Sequence, residues 1–249
     1  MNKGILKSKT MISMIITLAA GALIMLGFSI FMFIFAGQSS GVYFGDAGNL
    51  EERIWQSKTI LYGIAIADLL IAAEKIIPFI ASVVMYKKYP DPKGLNILKI
   101  TAVTGAVFYS LLFAGLFIGS FFMAFKSSGF DMPTFKFFMI MSAVALLPML
   151  KFISMTVMIP SVKQNTSDGV ILLSVVTAIL IVGNAASLMD MFSLSQTYMS
   201  VNMNAGAVFL ILVFENLFLF LMTRKYLIML EKEKKAAKKE EKKIEEKKA

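Results

Sequence analysis

Hydrophobic residues along this chain form long uninterrupted blocks, whereas a water-soluble domain shows short periodic runs. A helix that crosses a hydrocarbon core about 30 Å thick needs about 20 mostly apolar residues. Six blocks reach this length, at about 11–36, 59–86, 100–125, 137–160, 170–192 and 206–228. The pattern predicts an all-α, polytopic integral membrane protein with six transmembrane helices, in which residues 1–230 form one membrane domain.

Composition narrows the chemistry that such a protein can perform. The 249 residues are 57% hydrophobic and 16% charged, and they include no cysteine and no histidine. The absence of both residue types excludes disulfides, thiolate nucleophiles, the usual zinc and iron ligand sets and serine–histidine triads. Any chemistry must use carboxylates, lysines, hydroxyls or amides. We therefore expect no enzymatic activity, no metal, no cofactor and no nucleic-acid partner.

The segments that connect the predicted helices carry more positive residues on one side of the membrane than on the other. Ten lysines and arginines fall on the side of the amino terminus and four on the opposite side, before the tail is counted. The positive-inside rule then places both termini in the cytoplasm. We expect a multi-pass protein of the cell membrane, with the prokaryotic plasma membrane as the simplest assignment.

The tail, residues 231–249, differs from the rest of the chain. It contains nine Lys, six Glu, three Ala and one Ile, almost all of them strong helix formers. We expect helix 6 to continue into the cytoplasm as a charged helix. Because the tail has no apolar stripe, a stable coiled coil is excluded. Two partners suit such a tail, anionic lipid or an acidic cytoplasmic protein.

Five charged residues lie deep inside the apolar blocks. They are Asp68, Glu74, Lys75, Lys151 and Glu215. A charge at the bilayer centre costs about 2.5–3.5 kcal/mol, so we expect these groups to be paired or used in a protein interior. Counting residues from the helix ends puts all five near the midplane, which predicts one shared site. Three acids against two bases would leave one carboxylate to take a proton, a cation or a partner subunit.

Amides and prolines accompany these charges. Asn184 and Asn216 lie at a similar depth and could line a pathway or bond between helices. Pro78 clashes with the carbonyl group four residues earlier, which belongs to Glu74, and thereby frees an acceptor beside a carboxylate. Broken transporter helices hold cations in this way. Pro148 predicts a second kink, and simple packing kinks remain the alternative for both.

Helix 3 carries small residues at regular spacing. Ala106, Ser110 and Ala114 are four residues apart, and Gly115 and Gly119 form a GxxxG motif. Such a face lets a second helix approach closely. We interpret it as a packing surface, either inside the bundle or between protomers of a homo-oligomer.

A weak internal similarity links helix 3 to helix 6. Residues 105–117 and 206–218 align without gaps and share eight identities in thirteen positions. If helices 1–3 correspond to helices 4–6, the odd number of helices in each half gives a 3+3 inverted repeat, a plan known in secondary transporters.

Two functional classes fit these features. The first is a transporter, permease or channel subunit that moves a small solute or ion through a charge-lined interior, with proton or cation coupling. The second is a non-catalytic subunit of a larger membrane complex, in which the charges pair between helices or subunits and the tail docks a partner or anionic lipid.

Overall fold

A computed structural model describes residues 9–38, 58–87, 93–126, 129–130, 132–193 and 199–248, and nearly all of them are helical. The helices are α1 (Lys9–Gln38), α2 (Lys58–Lys87), α3 (Lys93–Ala124), α4 (Met132–Lys163), α5 (Asp168–Ser193) and α6 (Met199–Lys248). Between α3 and α4, the two-residue strands β1 (Phe125–Lys126) and β2 (Gly129–Phe130) pair antiparallel.

Within this part of the chain, five helices are long and apolar enough to cross a membrane. They are α1, α3, α4, α5 and α6, which fits a multi-pass membrane protein. The sixth predicted span, α2, has 30 residues but carries Asp68, Glu74 and Lys75 within eight positions. Several of the loop charges that predict the topology, including all of those in 39–57, lie outside the described residues.

α6 continues into the tail without a break. This helix runs through the apolar part of the chain and ends at Lys248. Residues 231–240 are exposed on every side, and Glu231 pairs with Lys235 one turn further on at 2.6 Å. Residues 231–240 therefore present a charged surface rather than an apolar one.

The described helices form a closed ring in chain order. Each helix packs against the next one along the chain, and α6 returns to pack against α1. A side chain on Gly21 of α1 would come within 2.8 Å of Ile211 in α6, so these two helices approach closely. Eight residues further along α1, the Ser29 hydroxyl donates a hydrogen bond of 2.8 Å to the carbonyl of Ala65 in α2.

α3 meets α4 closely at Gly105, ten residues before the first glycine of its GxxxG motif. A Cβ on Gly105 would lie 2.6 Å from the ring of Phe152, so the two helices meet closely there. Ala106 packs against the main apolar core, and Ser110 and Ala114 are half-buried. At Gly115 and Gly119 a Cβ would meet no described atom within 4 Å. The motif therefore does not hold two described helices of this chain together.

The turn between α4 and α5 is held by a helix-terminating motif. Asn165 has a φ of 54°, the left-handed conformation that asparagine tolerates better than most residues. Its N–H bonds to the carbonyl of Val162, and the N–H of Thr166 bonds to that of Ser161. This is the Schellman pattern, which satisfies the last carbonyls of a helix and stops it. The Ser161 hydroxyl also accepts a bond from the N–H of Gly169 at 3.1 Å.

The 3+3 repeat remains a prediction. The two similar segments lie in α3 and α6, but their matched glycines have different surroundings. Gly105 touches Phe152, whereas a Cβ on Gly206 would meet no described atom within 4 Å. In the same alignment, Glu215 corresponds to Ala114, so the buried charge of α6 has no counterpart in α3.

We predict that Gly169→Ala destabilises the protein by about 1–3 kcal/mol, as overpacking of a tight contact usually does. The added methyl group would collide with the backbone carbonyl of Val157 and lie 2.6 Å from the Ser161 hydroxyl oxygen. Gly119→Ala is the matched control, because its methyl group has open space and alanine is the better helix former. Thermal unfolding in detergent, followed by circular dichroism, measures both, and equal midpoints would contradict this packing.

Candidate functional site: a buried charge network

Four of the five deep charges meet inside the ring. The Lys75 ammonium in α2 lies 3.1 Å from Oε1 of its neighbour Glu74 and 2.6 Å from Oε2 of Glu215 in α6. The other oxygen of Glu215 accepts a hydrogen bond from the Lys151 ammonium in α4. The result is an alternating chain, Glu74, Lys75, Glu215 and Lys151, that joins every second helix of the ring through its interior.

Burial makes this pairing necessary. The side chains of Lys75, Glu215 and Lys151 are 1%, 5% and 6% exposed, and only Glu74 reaches 19%. A single charge at such a depth would carry a desolvation penalty of several kcal/mol. Two acids and two bases in alternating order give each charge at least one opposite neighbour. The network as a whole is neutral.

Tyr109 of α3 is a further member that was not predicted from the sequence. Its hydroxyl donates a hydrogen bond of 2.8 Å to Oε2 of Glu74. Its ring stacks on that of Phe152, with centroids 5.6 Å apart and planes 13° apart. Phe152 in turn fills the space left by Gly105. The available signal was the single tyrosine of α3, near the middle of the helix.

Asp68 is the fifth deep charge and lies on α2, the helix of Glu74 and Lys75. It is 3% exposed and makes a contact of its own, seven residues before Lys75 on α2. That separation corresponds to about 10 Å along a helix. The ion pairs of the network join the other four charges and do not include Asp68. The predicted single site therefore contains four of the five charges, and its acids and bases balance, so no acid in it is left over.

The two predicted amides are buried, and neither bonds to a described member of the charge network. Asn184 in α5 is 6% exposed and Asn216 in α6 is 1% exposed. The amide group of Asn216 donates to the carbonyl of Leu212 in its own helix at 2.8 Å. Its oxygen has no hydrogen-bond partner among the described residues. In this part of the chain, no hydrogen bond joins either amide to the charge network.

Both predicted kink residues lie inside continuous helices. Pro78 is buried in α2, one turn after Glu74, and Pro148 is half-buried in α4, three residues before Lys151. Because proline has no N–H, the carbonyl of Glu74 loses its usual helical donor. The network is thus flanked by a backbone acceptor on α2 that the helix itself does not satisfy.

A cavity of about 80 Å³ extends from the network along the ring interior. A water molecule needs roughly 10–15 Å³ of such space, so the cavity has room for several waters or a small solute. Glu74, Lys151 and Glu215 line one end. The walls are apolar and rich in methionine, with contributions from Met11, Met14, Met85, Met155, Met158 and Met222.

The far end of the cavity carries a tyrosine. Tyr226 lies eleven residues after Glu215 on α6, which is about 16 Å along a helix. Its buried hydroxyl has no hydrogen-bond partner among the described residues. Ser82 and Thr223 are further polar groups on the lining. The cavity thus has a charged end, an apolar middle and a hydroxyl-bearing end near the start of α3.

A double-mutant cycle tests whether the network acts as one balanced unit. We predict that Lys151→Met or Glu215→Gln alone destabilises the protein by about 3–5 kcal/mol, because each leaves one buried charge in excess. The double variant keeps the Glu74–Lys75 pair and restores neutrality. It should be more stable than the sum of the single effects predicts, measured by chemical unfolding in detergent. Strict additivity would show that the charges are independent.

Comparison with known proteins finds no relative of this chain. No protein-family model, no curated protein and no solved structure matches the chain.

Proposed function

We propose that this protein is a membrane transporter, permease or channel subunit that moves a small solute or ion through the interior of the helix ring. The observation that carries the proposal is the junction of the charge network with the cavity. Three of the four network residues line that cavity. Charged residues inside membrane helices are rare, and they usually mark substrate, ion or proton pathways.

The proposal includes a topology. Both termini lie in the cytoplasm of a cell-membrane protein, and α2 is the sixth span. The pairing of Lys75 with two carboxylates supports this role for α2, since it removes the main cost of placing that helix in a bilayer. In this orientation the cavity extends from the network toward the cytoplasmic end of the ring, where Met85 and Leu95 line it.

Glu74 is the network member best placed to respond to a solute or proton. It lies at one end of the charge chain, it lines the cavity, and at 19% it is the most exposed of the four side chains. Lys75 and the Tyr109 hydroxyl hold its two oxygens in place. A cation or proton that bound Glu74 would weaken the attraction between Glu74 and Lys75, and this links occupancy of the cavity to the packing of α2.

A second candidate is a subunit of a larger membrane assembly. The exposed helical tail supports it, because a rigid, lysine-rich helix can bind anionic lipid or an acidic protein. The charge network gives this candidate less support, because its four members already pair within one chain. Under this candidate, partner recognition depends on the tail or on the lipid-facing helices.

Transport is tested in liposomes that contain the purified protein. Osmotic swelling reports the entry of small solutes, for which we would use a neutral sugar, a neutral amino acid, choline and phosphate, and an entrapped dye reports proton entry. We predict that at least one of these enters faster than into protein-free liposomes. Glu74→Gln should reduce that rate at least about tenfold, because it removes the charge and keeps the shape.

The control is Glu231→Gln, which makes the same chemical change on the exposed tail. It should leave the rate unchanged, and both variants should elute from a sizing column like the wild type. If neither a solute nor protons enter faster than into empty liposomes, the transport proposal is wrong.

A further inference from the structure

The two ends of the charge chain both face the cavity. The inner members, Lys75 and Glu215, each contact two opposite charges. Among the described residues, the outer members, Glu74 and Lys151, each contact one opposite charge, and both line the cavity. A molecule in the cavity therefore meets one carboxylate and one ammonium that retain bonding capacity.

That capacity can be counted. An ammonium group has three donors, and Lys151 uses one of them on Glu215 among the described residues. A carboxylate has about four acceptor positions, and Glu74 uses one for Lys75 and one for the Tyr109 hydroxyl. Lys151 can thus bind an anionic group while Glu74 binds a cationic one. Neither has to leave its present partner.

Charge balance selects the type of ligand. The network is neutral, so a cation or an anion that entered alone would bring an uncompensated charge into a buried site, which is costly. A zwitterion satisfies Glu74 and Lys151 together and keeps the site neutral. The remaining walls are apolar, with Met155, Met158 and Met222 among them. Methionine is flexible and fills space around apolar groups of different shapes.

We propose that the cavity binds a small zwitterion with an apolar side chain, of the α-amino acid class. Its anionic group bonds to Lys151, its cationic group to Glu74, and its side chain lies against the methionine wall. This inference rests on the proposed transport function and names the substrate class of the same cavity.

Four probes separate the parts of this recognition. Leucine carries both charges and an apolar side chain. 3-Methylbutylamine keeps the apolar chain and the cation, 4-methylpentanoate keeps the apolar chain and the anion, and glycine keeps both charges without the chain. We predict that leucine binds the purified protein in detergent, measured by titration calorimetry. Each of the other three probes should bind at least about tenfold more weakly.

Variants test the assigned contacts. Glu74→Gln should weaken leucine at least about tenfold and leave 4-methylpentanoate unchanged, because that probe has no cationic group. Lys151→Met/Glu215→Gln, which keeps the site neutral, should weaken leucine and leave 3-methylbutylamine unchanged. The tail variant Glu231→Gln is the control and should bind leucine like the wild type. Equal binding of leucine and either single-charge probe to the wild type would overturn the proposal.

Binding and transport fail in distinguishable ways. If liposomes show protein-dependent entry of a solute or protons and leucine does not bind, the zwitterion inference is wrong and transport stands. If leucine binds as described and nothing enters the liposomes, transport is wrong and the chain holds a zwitterion site without a pathway.

Discussion

The compensation of Lys75 is the constraint on which the interior of this protein depends. An ammonium group with 1% exposure is stable only if opposite charge reaches it, and two carboxylates do so from α2 and α6. The other oxygen of Glu215 pairs with the Lys151 ammonium, which brings α4 to the same buried network. Tyr109 holds the far oxygen of Glu74 and adds α3. One buried lysine thus explains why four helices converge at a single depth.

Packing around the network follows from small residues at particular positions. Gly105 lets α4 approach α3 closely enough for the ring of Phe152 to contact the glycine. The same ring stacks on the ring of Tyr109. Gly21 allows α6 to close the ring against α1. The hydroxyl of Ser29 then bonds across to α2. In lipid, where apolar burial gives helices little reason to associate, such close contacts and hydrogen bonds hold a bundle together.

Much of this could be predicted from the sequence, and the remainder has identifiable causes. Helix number and extent follow from long apolar blocks, because only a helix satisfies its own backbone in lipid. The convergence of Glu74, Lys75, Lys151 and Glu215 follows from depth counting. Depth alone does not give rotation about the helix axis, so Asp68 was expected in the same site although the ion pairs of the network do not include it, and Tyr109 was not expected there. The GxxxG motif of α3 predicts a close-packing surface, but no described atom lies within 4 Å of a Cβ at either glycine. A motif does not say which surface of the bundle it faces.

The ring order also has a consequence for how the chain enters a membrane. Helices inserted one after another can pack immediately against their predecessors, since nearly every contact of the ring joins sequence neighbours. Lys75 finds Glu74 beside it as soon as α2 is made. Lys151 has no such adjacent acid, and its partner Glu215 lies on α6, which is synthesised two helices later. During biogenesis the Lys151 side chain must therefore be deprotonated, or be held by water or an insertion factor, until α6 is inserted.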